Sequence, residues 1–98
     1  MRFVIDLTPR ARDHLSDFRK RDQKIILDEI AQQLTHQADR PTRNRKKLEK
    51  NELAPWELRV GHFRVFYDVD RKSGQVVVLA IGSKIHNTLI IAGEEIDL

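Results

Sequence analysis

The sequence contains no cysteine among its 98 residues. Disulfides, thiolate metal ligands and a cysteine nucleophile are therefore excluded. Long apolar runs are also missing, because no stretch approaches the roughly 18 residues that a membrane-spanning helix needs. The apolar run at the start is too short for a secretory leader and meets a charge at Arg2. We expect a cytoplasmic protein with no membrane partner.

The shortness of the chain limits its organisation to one domain, residues 1–98. A domain of this length buries only about 60–65% of the surface that its unfolded chain exposes, so it has one core and little to spare. There is no room for a separate cofactor domain, and we expect no cofactor. Any chemistry has to lie on the surface or in a shallow groove of one small scaffold.

Positive charge is concentrated in one short segment. Residues 40–50 carry a single acid, Glu49, and six cations: Arg40, Arg43, Arg45, Lys46, Lys47 and Lys50. The whole chain has a net charge of +3, so the rest of it is net negative. Clustered cations on such a body favour a polyanionic partner, because their fields add at short range. A solvated charged loop is the alternative.

The first half of the chain reads as one strand and two helices. Apolar residues alternate over 3–7, as in a strand with one buried face. Thr8 and the following proline predict a helix start, and an apolar stripe at spacings of four and three follows over 11–18. Asp22 is the predicted cap of a second helix, whose stripe covers 26–34.

The second half changes to a period of two. Segment 36–45 is polar and predicts a loop, whereas 56–60 and 63–69 alternate as strands do. Residues 76–81 are almost wholly apolar, which is typical of a central strand covered on both faces. A last apolar run at 89–91 indicates either an edge strand or a C-terminal clasp.

The predicted order is β-α-α-β-β-β, which favours the α+β class. Two helices followed by an antiparallel meander imply a two-layer domain, with a helical hairpin packed on one face of the sheet. The other sheet face is then either exposed or a binding surface.

Three segments carry a resemblance to a known family. Residues 56–69 contain a strand with a basic residue near its end, a short turn, and the aromatic-Arg-apolar-apolar-Tyr strand Phe63-Arg64-Val65-Phe66-Tyr67. Residues 81–84 are an apolar-Gly-x-basic strand end, and 48–53 lead into the sheet. This pattern resembles the RelE/ParE toxins of type II toxin–antitoxin systems over nearly the whole chain.

The resemblance implies a function and a set of partners. Many members cleave mRNA on the ribosome without a metal, so we expect an mRNA endoribonuclease that inhibits translation, with mRNA and the ribosome as partners. A cognate antitoxin protein is the expected inhibitor, and operator DNA is met only through the antitoxin complex. The alternatives are a ParE-like, non-enzymatic inhibitor of DNA gyrase and an inactive member acting as antitoxin partner or corepressor.

Arg64 is the first catalytic candidate. Metal-free RNA cleavage needs a base, charge stabilisation at the phosphate and an acid for the leaving oxygen, and guanidinium groups fit phosphate as a planar fork. Arg64 alternates with Phe63 and Val65, so it faces away from them, and the resemblance assigns it to the scissile phosphate. The alternative is an ordinary outward arginine paired with Glu57 or Asp68.

Further candidates surround Arg64. Arg59 and Lys84 are expected beside it, with solvated strand-end cations as the alternative. By resemblance Lys46 occupies the position of a base, a role that requires neighbouring cations such as Arg45; simple attraction of the RNA backbone is the alternative. The expected RNA-binding residues are Arg43, Arg45, Lys47, Lys50 and His62.

The general acid is the open question. Many RNA-cleaving relatives carry a C-terminal tyrosine, but residues 87–98 contain none, and Tyr67 lies within a strand and is expected in the core. His86 is the expected substitute, because an unperturbed imidazole titrates near neutrality. His14 and His36 are interpreted as structural, and the histidines do not have the spacing of a metal site.

Overall fold

The computed structural model describes all 98 residues. Its elements in chain order are β1 (Val4–Leu7), α1 (Pro9–Ser16), α2 (Lys20–Leu34), β2 (Arg45–Lys47), β3 (Trp56–Val60), β4 (Phe63–Asp70), β5 (Gln75–Ile85), β6 (Thr88–Ile91) and β7 (Glu94–Ile96). The α+β class and the predicted order of the main elements are confirmed. Neither helix is long and apolar enough to cross a membrane.

Helix α1 begins as predicted, whereas α2 begins three residues early. The Thr8 hydroxyl accepts a hydrogen bond of 3.1 Å from the backbone N–H of Ala11 and so caps α1. Arg19, with an extended backbone, occupies the cap position of α2 and makes no side-chain cap bond. Asp22 lies inside the first turn, 3.8 Å from Arg19 Nε. Its charge suits the positive end of the helix dipole without making it the cap.

The sheet is mixed rather than wholly antiparallel. Strands β2 to β7 form an antiparallel path in that order, but β1 pairs in parallel with the first part of β5, from Val4 opposite Gln75 to Leu7 opposite Val78. A parallel pair requires a crossover connection, which α1 and α2 lie within. Strand β5 is long enough to hold β1 along its first half and β6 along its second.

Strand β2 falls at the edge of the predicted loop. Segment 36–44 contains turns and irregular backbone, but Arg45 is already in β2 and lies opposite Leu58 of β3. The loop prediction is therefore wrong at Arg45, because three residues are too few for an alternating pattern to be recognised. The turns between β3 and β4 and between β4 and β5 contain Gly61 and Gly74, which adopt φ values of +59° and +69°.

Two apolar cores lie on the two faces of the sheet. The larger one lies between the helices and the sheet and includes Ile26, Leu34, Leu58 and Tyr67. The smaller one lies on the opposite face and contains Ala54, Phe66, Ala80, Leu89 and Ile91, with Leu48, Leu53, Leu79 and Ile96 packed around it. The face opposite the helices is therefore partly covered. The run at 89–91 lies in β6, which pairs with β5 on one side and β7 on the other, so it is a strand but not an edge strand.

Candidate nucleic-acid interface

The expected catalytic cations converge on the sheet face opposite the helices. Lys46 of β2 lies opposite Glu57 of β3, and Arg59 of β3 lies opposite Arg64 of β4. Residues that oppose each other across a sheet share a face, and alternate residues along a strand return to it. Lys84 of β5 belongs to the same face, since it lies two residues beyond Gly82, the partner of Arg64.

Arg64 is held in place by backbone carbonyls. Its Nη1 donates to Gly61 O at 2.9 Å and to Phe63 O at 2.8 Å, and its Nε lies 4.0 Å from Glu57 Oε1. The residue is only 7% exposed. Its Nη2 has no partner within the protein, yet no buried side-chain nitrogen or oxygen lacks one. Nη2 therefore reaches solvent and is free to donate to a phosphate.

The electrostatics around Arg64 are unusual for a strand. Burial lowers the pKa of its guanidinium; Glu57 acts in the opposite direction, and Arg59 adds to the lowering. Two like charges directly opposite each other on neighbouring strands are destabilising. A pKa perturbed by burial together with specific charges is a feature of functional sites, and an incoming anion would relieve the repulsion between the two arginines.

Glu57 is the functional candidate that sequence reasoning missed. It was considered only as a partner for Arg64, whereas its side chain is 19% exposed and lines a cavity with Lys46 and Lys84. Glu57 is the register partner of Lys46 in the β2–β3 pair, and it supplies the carboxylate of that pair. The signal in the sequence was its place in β3, two residues before Arg59 and therefore on the same face.

Lys46, Lys84 and Glu57 line a groove on the same face, which we call the basic groove; Arg59 and Arg64 are not among its lining residues. It has a volume of about 510 Å³ and is lined by Lys46, Lys47, Leu48, Glu49, Lys50, Asn51, Glu57, Lys84 and Leu98. Four of these residues are cationic and two are acidic. The groove therefore carries net positive charge at neutral pH, in a concave setting that concentrates the field.

His62 and His86 lie in turns at one end of the sheet. His62 is in the turn between β3 and β4, with its ring centroid 4.2 Å from that of Phe63. Its carbonyl accepts a 2.7 Å hydrogen bond from Lys84 N, which brings the end of β5 beside this turn. His86 lies two residues after Lys84, in the turn before β6, and its backbone φ is +50°. Both imidazoles are exposed next to the cationic face.

Arg45 does not belong to the interface, contrary to the sequence expectation. It is 5% exposed and lies on the helix side of the sheet. Its guanidinium makes four hydrogen bonds, to Gln33 O, Gln33 Oε1, Gln37 Oε1 and Arg40 O. Gln33 O is one of the last carbonyls of α2, so Arg45 satisfies an otherwise orphaned acceptor and complements the helix dipole. Its role is structural.

The remaining basic residues surround the groove unevenly. Lys50 lines it together with Lys46, whereas Arg43 is exposed in the loop before β2 and lines no cavity. The ammonium of Lys47 lies 6.0 Å from the centre of the Trp56 ring. The role of Lys46 as a base was expected to depend on Arg45, but Arg45 points to the opposite face, and Lys46 shares the groove with Lys47, Lys50 and Lys84 instead. Lys46 is therefore better suited to attracting phosphate.

Two of the expected structural residues are buried. His14 is 6% exposed, and its Nδ1 accepts a 3.2 Å hydrogen bond from Ile81 N. The Tyr67 hydroxyl donates to Ala38 O at 2.8 Å, and burial strongly raises the pKa of this phenol. His36 is exposed. No three histidine, aspartate or glutamate side chains come together as metal ligands.

The fold and this face define a class of protein: a small α+β domain that offers a cationic groove on the sheet face away from its helices. The model of the family described as "ParE toxin of type II toxin-antitoxin system, parDE" matches residues 5–86. The chain belongs to this family and is the toxin of a type II toxin–antitoxin system. No curated protein sequence matches it.

Two solved structures share the fold. A chain of the RelBE2 toxin–antitoxin complex from Mycobacterium tuberculosis superposes with a TM-score of 0.73 at 22% identity, covering 85% of this chain and 99% of that one. A chain of the archaeal RelE–RelB complex from Pyrococcus horikoshii OT3 gives 0.66 at 19% identity, covering 88% and 99%. At these identities the similarity shows the fold alone.

Proposed function

We propose that this toxin is a metal-independent endoribonuclease that cleaves mRNA on the ribosome and so inhibits translation. The observation that carries the proposal is the convergence of Arg59, Arg64 and Lys84 with the carboxylate of Glu57 on one sheet face. Cations fixed on a sheet stabilise the charge that develops on a phosphate in its transition state. A carboxylate among them supplies a proton acceptor.

The reaction assigns one role to each group. Glu57 removes the proton of the ribose 2′-hydroxyl, whose oxygen then attacks the adjacent phosphorus. Arg64 Nη2 and Lys84 Nζ stabilise the charge on the phosphate oxygens, with Arg59 adding to the field. His86 protonates the leaving 5′-oxygen as its bond to phosphorus breaks. The products are a 2′,3′-cyclic phosphate and a 5′-hydroxyl, so neither water nor a metal is consumed.

The backbone hydrogen bonds of Arg64 support this assignment. A guanidinium tied by Nη1 to two carbonyls loses little freedom when Nη2 meets a phosphate, so its orientation is set before the substrate arrives. Lys46, Lys50 and Lys47 along the groove then attract the RNA backbone, with Arg43 and His62 at the margins. Arg45 has no part in binding.

A second candidate is non-enzymatic inhibition of DNA gyrase. Two observations favour it: the matching family model is that of the ParE toxins, and only one of the terminal nitrogens of Arg64 is free. In this reading the basic groove binds an acidic protein surface, and Glu57 serves only to balance Arg64.

The proposal includes a cognate antitoxin as partner, in keeping with the family. Both solved structures described above are toxin–antitoxin complexes. An antitoxin segment that brings carboxylates to the basic groove would compete directly with RNA. Operator DNA is then contacted through the antitoxin.

Induction of the toxin without antitoxin tests the two candidates. We expect translation to stop and mRNA to be cut within codons, while DNA supercoiling is unchanged. Arg64→Gln should lower cleavage by about 10²–10³-fold, because one charged transition-state donor is lost. Arg12→Ala, on the exposed side of α1, is the matched control and should retain full activity. Intact mRNA together with altered supercoiling would reverse the choice in favour of gyrase.

A further inference from the structure

The C-terminal hairpin lies outside the part of the chain that the family model matches. That match ends at residue 86, and β6 and β7 follow it, joined by a turn in which Ala92 and Gly93 have φ of +53° and +79°. Left-handed residues at both positions are typical of a tight two-residue hairpin turn. The hairpin is therefore a compact unit that follows the matched residues.

This hairpin folds back over the proposed RNA face. Ile96 packs on the second core, and the residues after it line the cavities on that face. Leu98 lines the basic groove with Lys46 and Lys84, and Asp97 lines an adjoining cavity of about 180 Å³ with Glu57 and Lys84. Any nucleic acid that reaches Lys84 must therefore pass this segment.

Gly82 makes the close approach of β6 possible. A Cβ at this position would lie 2.5 Å from Ile90 O and 2.7 Å from Ile91 Cγ1. No side chain fits there without displacing β6, whereas the glycine allows it to close over the end of β5. Gly82 is also the register partner of Arg64. The hairpin is therefore anchored next to the proposed catalytic arginine.

The hairpin carries acids that have no cationic partner. Glu94, Glu95 and Asp97 take part in none of the ion pairs of the protein. A cavity of about 460 Å³ is lined by Asp97 together with Arg10 and Lys50. Asp97 lines cavities that adjoin the groove, whereas Glu95 lies opposite Ile90 and belongs by register to the other sheet face. An unpaired carboxylate beside a basic groove repels an incoming phosphate backbone and weakens its attraction over about a Debye length.

The attachment of β7 is slight, whereas β6 is also held by Leu89 and Ile91 in the second core. Strand β6 pairs with β5 over three positions, from Ser83 opposite Ile90 to Ile85 opposite Thr88, and β7 pairs only with β6. The link between β5 and β6 is again a left-handed pair, His86 and Asn87. An element with so few ladder bonds belongs to the low-stability end of a fold and opens more readily than the sheet beneath it.

We infer that β7 and the residues after it form an acidic strap that competes with a polyanion for the basic groove. The free toxin then binds RNA weakly until the strap moves aside. This inference rests on the proposed function, because it takes single-stranded RNA as the polyanion that enters.

The first test is neutralisation of the strap. The variant Glu94→Gln/Glu95→Gln/Asp97→Asn should bind a fluorescein-labelled single-stranded RNA of twelve nucleotides about tenfold tighter than a matched control at about 0.1 M salt. Equal RNA affinities of the two variants would contradict the strap inference, independently of whether the toxin cleaves RNA.

The matched control is Asp13→Asn/Asp28→Asn/Glu29→Gln. These acids lie on the two helices, and the control changes net charge by the same amount. It therefore corrects for the general effect of charge on RNA binding. If none of the proteins binds RNA, the proposed function fails. The affinity of the two variants for heparin then tests the strap. Tighter heparin binding by the strap variant than by the control supports it, and equal binding overturns it.

The second test measures movement. The chain has one tryptophan, Trp56, and no cysteine, so Glu95→Cys labelled with an acceptor dye gives a single donor–acceptor pair. Energy transfer from Trp56 should fall when saturating RNA, or heparin, displaces the strap. Unchanged transfer at saturation would mean that the polyanion binds elsewhere and that the strap is a fixed part of the fold.

Discussion

Replacement of Arg45 by methionine is expected to destabilise the fold without impairing RNA chemistry. Methionine keeps much of the aliphatic stem but removes all four hydrogen bonds of the guanidinium. The amides of Gln33 and Gln37 can turn to water, but the carbonyls of Gln33 and Arg40 are left without this donor. At about 1–2 kcal/mol for each unsatisfied carbonyl, the expected loss is about 2–4 kcal/mol.

Such a loss is large for a domain of this size. Small domains unfold at a cost of about 5–15 kcal/mol, and 1 kcal/mol corresponds to about 4–8 °C in Tm for 60–100 residues. We therefore expect Tm to fall by about 10–20 °C in circular dichroism melts, and the urea midpoint to fall with little change in slope.

The neighbouring lysine provides the matched control. Lys46→Met changes the next residue, which is exposed and on the other face, so its free energy of unfolding should change by less than about 0.5 kcal/mol. RNA affinity should respond in the opposite way, falling for Lys46→Met and not for Arg45→Met measured well below its Tm. An Arg45→Met protein of normal stability with weakened RNA binding would refute the structural role of Arg45.

Two further predictions concern buried positions. His14 accepts a hydrogen bond in its neutral form, and its pKa is lowered mainly by burial and further by Arg10. The unfolded state therefore binds more protons than the folded state. The free energy of unfolding should decline as pH falls below about 6.5. Urea unfolding between pH 5 and 8 measures this, and His14→Phe should lose that part of the dependence; an identical pH profile in both proteins contradicts the argument. Gly82→Ala should displace β6 and lower the free energy of unfolding by about 1–3 kcal/mol. Faster proteolysis within 86–93 measures this displacement. Unchanged protection there would contradict the close packing.

The sequence predicted the elements better than their partners. Alternation and the Thr8 cap identified the first strand, α1 and the β3–β4 hairpin, because these signals are local. The parallel pairing of β1 with β5 was not predictable in this way, since periodicity says which face is buried but not which strand lies beside it. The three-residue β2 is too short to leave a pattern.

The residues of the candidate site were likewise predicted where local alternation decides their position, and not where strand pairing decides it. Arg59, Arg64 and Lys84 were predicted to share a face because strand alternation fixes which side chains lie together. Arg43 and Arg45 look alike within one basic run, and only the register of β2 with β3 turns Arg45 inward. Glu57 was overlooked as a base because its proximity to Lys84 arises through strands that are distant in sequence.

The second core joins the two walls of the groove to a single buried side chain. Phe66, fully enclosed, packs with Ala54 from the segment before β3 and with Leu89 and Ile91 from β6. A change in the size of this ring would therefore act on both segments at once without replacing any charged residue. Substitutions at Phe66 can therefore change the width of the groove. They offer a route to altered RNA selectivity that does not replace any of the reactive groups.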